Sequence, residues 1–95
     1  MTCQILHYSR HALERMFQRG ISPDVIERIA QEGSIIATYP DDKPYPSKLM
    51  LGFDGVRPIH IVMAVEPETK EYVIVTVYQP DPALWDETYS RRRAP

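Results

Sequence analysis

The feature that most constrains this chain is a change of hydrophobic period at Gly33-Ser34. Before it, apolar residues recur every three or four positions, as on one side of a helix. After it, they alternate or run continuously, as in strands, up to Tyr78. Helices followed by strands define an α+β class, with the helices gathered on one face of an antiparallel sheet. The 95 residues allow one domain with a modest core, spanning residues 1–95.

The first helical stretch runs from Ser9 to Ile21. At about 100° per residue, Ala12, Leu13, Met16, Phe17 and Gly20 fall in one broad sector. His11, Arg15, Gln18 and Arg19 fall opposite. Ser9 is a good N-cap and Gly20 a natural residue beyond the C-terminus. The polar side sets one imidazole and two guanidiniums in a column at i, i+4 and i+8, a spacing that can grip a phosphate; the same residues also describe a solvated helix face. Ser22 begins a second helix, with Pro23 in its first position and Asp24 against the dipole. Ile21 and Ile26 form a hydrophobic staple, and Val25, Ile26, Ile29 and Ala30 make the buried stripe. Gly33 ends it.

Four strands are expected: Ser34 to Tyr39, Lys48 to Phe53, Val56 to Val65, and Tyr72 to Tyr78. Gln4-Ile5-Leu6 can add a short strand or merely lead into the first helix. Three prolines within residues 40–46 remove backbone donors, so that segment reads as an exposed loop that could act as a lid. An Asp54-Gly55 turn would pair Leu49 with His60 and set His60 on the face of Leu49, Leu51 and Phe53, toward the helices. A bulge would reverse that orientation, because one residue of slip moves every side chain across the sheet. Beyond the last strand, Asp81 can cap a short turn with Pro82. Trp85 reads as a lid at the core edge, and residues 86–95 as a flexible basic tail.

Composition narrows the function. The formal net charge is −2, so this is no generic polyanion binder, and any nucleic-acid contact needs local clusters. Two exist: the helix column and Arg91-Arg92-Arg93. No apolar run approaches the ~20 residues that span a bilayer, and no signal-peptide pattern opens the chain, so a cytoplasmic location is expected. The single cysteine, Cys3, excludes an internal disulfide and has no assigned role. His11 and His60 are too few for a zinc site, no phosphate-loop glycine pattern occurs, and no cofactor is expected. His7 is left without a role.

One sheet face has no helix to cover it, which is where a ligand, a partner or a second copy in a homodimer would lie. Lys48, His60, Thr76 and Tyr78 are its candidates. His60 has two readings, a hydrogen-bonded core histidine or a site residue. With His11, Arg15 and Arg19 they form a metal-free set suited to RNA cleavage by the neighbouring 2′-hydroxyl. That reaction needs a base for the hydroxyl, cations for the phosphorane charge and an acid for the leaving oxygen. The expectation is one shared site with His11, Arg15, His60 and Tyr78 as catalytic groups and Arg19, Lys48 and Thr76 binding substrate. The same residues would equally serve a phosphate-binding module.

The segments S-R-H-A-L-E-R-M-F-Q-R-G-I-S (9–22), P-Y-P-S-K (44–48), P-I-H-I-V (58–62) and V-T-V-Y-Q-P-D-P-A-L-W (75–85) resemble an uncharacterised bacterial and archaeal family. That family is associated with the RelE-like toxin superfamily, which includes the MqsR and BrnT ribonucleases. The resemblance covers nearly the whole chain. It implies helices packed on a curved antiparallel sheet, a metal-independent endoribonuclease activity and a cognate antitoxin partner. His11, Arg15, Arg19, Lys48, His60, Thr76, Tyr78, Asp81 and Trp85 match its motifs. The alternative is a catalytically silent protein- or nucleic-acid-binding domain on the same fold.

Overall fold

The computed structural model describes residues 5–94; Cys3 and Gln4 lie outside them. The elements in order are β1 (Leu6–Tyr8), α1 (Arg10–Arg19), α2 (Pro23–Glu32), β2 (Ser34–Tyr39), β3 (Ser47–Asp54), β4 (Arg57–Val65) and β5 (Tyr72–Tyr78). The strands form one sheet in the order β1-β5-β4-β3-β2. Both helices cover the same face, α1 along β5 and α2 over β3 and β4. The architecture is α+β as expected, but the sheet has five strands rather than four and is mixed rather than antiparallel. β1 pairs in parallel with β5. Three residues carry too little periodicity to announce a strand; the partner for Leu6–Tyr8 lies more than sixty residues along the chain.

Both helices start and stop where their end residues dictate. Ser9 Oγ accepts from the Ala12 amide at 3.0 Å and donates to the Val75 carbonyl at 2.7 Å. Val75 is the extra residue of a bulge in β5 between the pairs Val62–Thr76 and Met63–Ile74. The cap of α1 is thereby tied to the sheet. Ser9→Ala should lower the unfolding free energy by about 1–2 kcal/mol, the upper half of the range for lost N-caps, because a second hydrogen bond goes with it. Urea denaturation measures it, and a loss below about 0.5 kcal/mol would show that the tie to Val75 contributes nothing.

Gly20 ends α1 in the left-handed conformation, with φ 62°. The Ile21 amide reaches back to the Met16 carbonyl at 2.9 Å, closing a Schellman turn whose two apolar residues share the core. Ser22 caps α2 through the Val25 amide at 3.3 Å, and the stapling pair Ile21 and Ile26 is buried.

The core lies between the helices and one face of the sheet. Ala12 and Met16 from α1 and Ile26 and Ile29 from α2 meet Met50, Ile59, Ile61, Met63, Ile74 and Val77. The buried stripe of α1 is narrower than its apolar sector: Leu13 is 52% exposed and Phe17 90%. The only α1 side chains buried against the sheet are Ala12 and Met16, and residues flanking them on the cylinder point outward.

The β3–β4 turn is Gly55-Val56, so Asp54 pairs with Arg57 and Leu51 with His60. That register is two residues from the expected one and preserves parity, so His60 does share its face with Leu49, Leu51 and Phe53. That face, however, is the one away from the helices, because Ile59 and Ile61 on either side of His60 fill the helix-side core.

Candidate functional site

On the face turned from the helices, the chain after β5 folds back as a strap. Pro80 is buried, and Asp81 nucleates a single turn by accepting from the Ala83 amide at 2.8 Å through its carboxylate. Residues 84–86 then pair with 91–93. The Arg93 amide donates to the Leu84 carbonyl and the Asp86 amide to the Arg91 carbonyl, each at 2.9 Å. The Asp86 carboxylate closes the loop by accepting from the Thr88 hydroxyl at 2.8 Å and from the Thr88 and Ser90 amides. Those bonds, led by the Thr88 hydroxyl, hold it below the ordinary aspartate value. Residues 86–93 of the segment read from sequence as a flexible basic tail thus fold back toward the sheet, with Arg93 bonded to the Pro82 carbonyl.

His60 is the point where strap and sheet meet. It is fully buried, at 0% exposure. Its Nε2 lies 2.8 Å from the Tyr89 carbonyl oxygen and its Nδ1 lies 3.1 Å from the Tyr78 hydroxyl. A carbonyl only accepts, so Nε2 carries the proton and Nδ1 accepts from the phenol. The Trp85 ring stands edge-on to the imidazole at 4.5 Å and the Tyr78 ring at 5.2 Å. Burial lowers the His60 pKa, and the bond to Tyr89 offsets part of that. Burial raises that of Tyr78, with Tyr39 adding to the shift and Arg92 opposing it. Imidazole and phenol are therefore both neutral at pH 7.

Between the strap and the edge strand β2 the face opens into a cleft of about 560 Å³. Ile36, Ala37 and Leu49 form its floor and outer wall. Tyr39, Tyr78 and Trp85 supply aromatic rings, and Ser90, Arg91 and Arg92 the polar wall. The Arg92 guanidinium sits 5.6 Å from the Trp85 ring centre, a cation–π distance. Such a cleft offers flat apolar faces to a planar ligand and positive charge to an anionic one.

The structure brings His60 and Tyr78 together, with Thr76 two positions from Tyr78 on the same face. It does not bring the other expected residues to them. His11, Arg15 and Arg19 are exposed on α1, in the layer on the far side of the sheet. Lys48 shares the parity of Met50 and so points to the helix side, its ammonium 5.7 Å above the Tyr72 ring. A phosphate held by the α1 column could not reach His60. The ring nitrogens of His60 are in any case both committed to the protein.

Sequence reasoning missed Tyr39, Ser90 and the role of Arg91 and Arg92 in lining a cavity. The basic run itself was visible; its fold-back was not, because it depends on Trp85 and Tyr89 finding His60. Among the described residues no group of three metal-ligating side chains occurs, and no helix is long and apolar enough to cross a membrane.

Fold and site together define a small α+β domain that carries an aromatic and arginine-lined cleft on its helix-free sheet face. By sequence, residues 8–79 match the model of a domain of unknown function, DUF4258, and the chain belongs to that family. The match ends one residue before the strap begins, so the sheet half of the cleft is family sequence and the strap half lies beyond it. No curated protein and no solved structure matches the chain.

Proposed function

We propose that this domain binds single-stranded RNA, with bases stacked in the cleft between β2 and the strap and phosphates on Arg91 and Arg92. The observation that carries the reading is the convergence of Tyr39, Tyr78 and Trp85 with two arginines on one concavity. Stacking platforms beside cations are how proteins hold unpaired nucleotides, each stacked base contributing roughly 1–3 kcal/mol. A chain of net charge −2 has no general attraction for polyanions, so affinity has to be local. Duplexes, whose bases are already stacked, should bind far more weakly.

Fluorescence anisotropy with a labelled RNA octamer, against a hairpin of the same composition, tests this. The single strand should bind with affinity that falls as salt rises. The Arg91→Ala/Arg92→Ala double variant should reduce the slope of log affinity against log salt by about 1.4, at roughly 0.7 for each phosphate of a single strand left without its arginine. Equal binding of strand and hairpin, or an unchanged slope, would remove the cleft from consideration.

The finer reading, a RelE-like toxin that cleaves RNA without a metal and is neutralised by an antitoxin, draws on the motif resemblance. One feature of the cleft favours it: two arginines that would hold a scissile phosphate lie on its polar wall, facing the same space as the Tyr39, Tyr78 and Trp85 rings. In this reading Arg91 and Arg92, rather than Arg15 and Arg19, stabilise the phosphorane. Products ending in 2′,3′-cyclic phosphate, together with growth arrest on expression that the adjacent gene product relieves, would support it. Intact RNA and unimpaired growth leave the binding module.

A further inference from the structure

Three walls of the cleft depend on one buried side chain. Tyr78 donates to His60 Nδ1, Trp85 packs on the His60 ring, and the strap's polar wall begins one residue after Tyr89, whose carbonyl accepts from Nε2. Tyr89 itself has φ 59°, a left-handed conformation that is strained for an aromatic residue and persists only where surrounding contacts impose it. The side chain that bonds this residue's own carbonyl is His60. We infer that His60 is a positioning residue that latches the strap 80–94 onto the sheet, so that charging its imidazole, or replacing it with a side chain that cannot donate to Tyr89, releases the strap and opens the RNA cleft. The coupling to RNA rests on the cleft reading above; the latch itself does not.

The direction of the pH effect follows from the surroundings. Facing His60 are the Tyr78 phenol from β5, the apolar Leu51 from β3, and from the strap the Trp85 indole, with Arg92 on that ring, and the Tyr89 carbonyl. Tyr39 of β2 and Arg91 line the adjoining cleft. None of these is an anion at neutral pH, and the two arginines oppose a third positive charge. Closed, the ring resists protonation; released, it regains water and its ordinary value of about 6.5. The open form therefore takes up the proton first. The closed form is fully favoured above about pH 6.5 and loses ground as pH falls from there toward the lowered value of the closed state.

Trp85 is the sole tryptophan, so its emission reports the strap directly. In the full chain, emission should shift to the red as pH falls from 8 to 5, with its midpoint below about 6.5 and far-UV circular dichroism unchanged. RNA affinity, followed by anisotropy on the same octamer, should fall over that range by up to about thirtyfold, the ceiling that one proton sets across the roughly 1.5 pH units below 6.5. His60→Gln, whose amide can still donate to Tyr89 and cannot titrate, should keep the strap closed with a flat profile. His60→Phe should leave it open at every pH. Tyr89→Gly, which relieves the left-handed strain and keeps the carbonyl, should move the midpoint to lower pH. A flat profile in the unmodified chain overturns the latch. So does a profile that His60→Gln leaves unaltered, which would assign the change to another group. Trp85 titrating through His60 in a chain that binds no RNA supports the latch and overturns the RNA reading.

Discussion

Gly33→Ala should destabilise the domain by about 3 kcal/mol, the upper end of the overpacking range. Gly33 has an ordinary φ of −67°, so the effect is steric and not conformational. A Cβ there would lie 2.6 Å from the Ile29 carbonyl oxygen and 2.8 Å from that of Leu51. Both are backbone atoms, one in the last turn of α2 and one in β3. Neither can retreat without parting helix from sheet. Gly52→Ala meets only the Ile29 side chain, Cγ1 first, then Cγ2 at 2.8 Å and Cδ1 at 2.9 Å. Its cost should therefore be largely recovered in a Gly52→Ala/Ile29→Ala double variant, whereas at Gly33 the same change removes only the Ile29 Cγ2 contact at 2.9 Å and should recover little. Urea midpoints of the single and double variants form two cycles that separate the cases. If Ile29→Ala rescued both glycine substitutions equally, the backbone clash at Gly33 would be wrong.

Trp85→Ala should have the largest effect on binding. The side chain is buried against His60 on one side and lines the cleft on the other, with Arg92 over its ring. Its removal takes away one stacking surface, roughly 1–3 kcal/mol or about 5- to 150-fold in RNA affinity. It also takes the anchor of the strap, so Arg91 and Arg92 lose their fixed position and the observed loss should lie at the upper end. Stability should fall by about 3 kcal/mol, the low end for a buried tryptophan truncation, because the strap and not the helix-side core is affected. Trp85→Phe keeps a ring face and should lose several-fold less affinity. Anisotropy at one salt concentration, paired with thermal denaturation, measures both effects. Unchanged RNA affinity in Trp85→Ala would show that the nucleic acid lies elsewhere.

The sequence by itself determined the elements. Ser9, Gly20, Ser22, Pro23 and Gly33 mark helix ends through bonds made within a few residues, and strand alternation needs only neighbouring positions. Those are local signals, and α1, α2 and four of the strands follow from them. What only the tertiary structure decided is everything that depends on parity and on long-range pairing. The Gly55-Val56 turn, together with the choice of Ile59 and Ile61 for the helix side, sends His60 to the opposite face and Lys48 toward the helices. Leu6–Tyr8 becomes a strand only because β5 is there to pair with it. Arg91 and Arg92 line a cleft only because His60, far back in the chain, offers the strap a hydrogen-bond donor and an aromatic contact. A helix cap is written in adjacent residues; a site assembled from a sheet face and a folded-back segment is written in contacts whose partners no local pattern names.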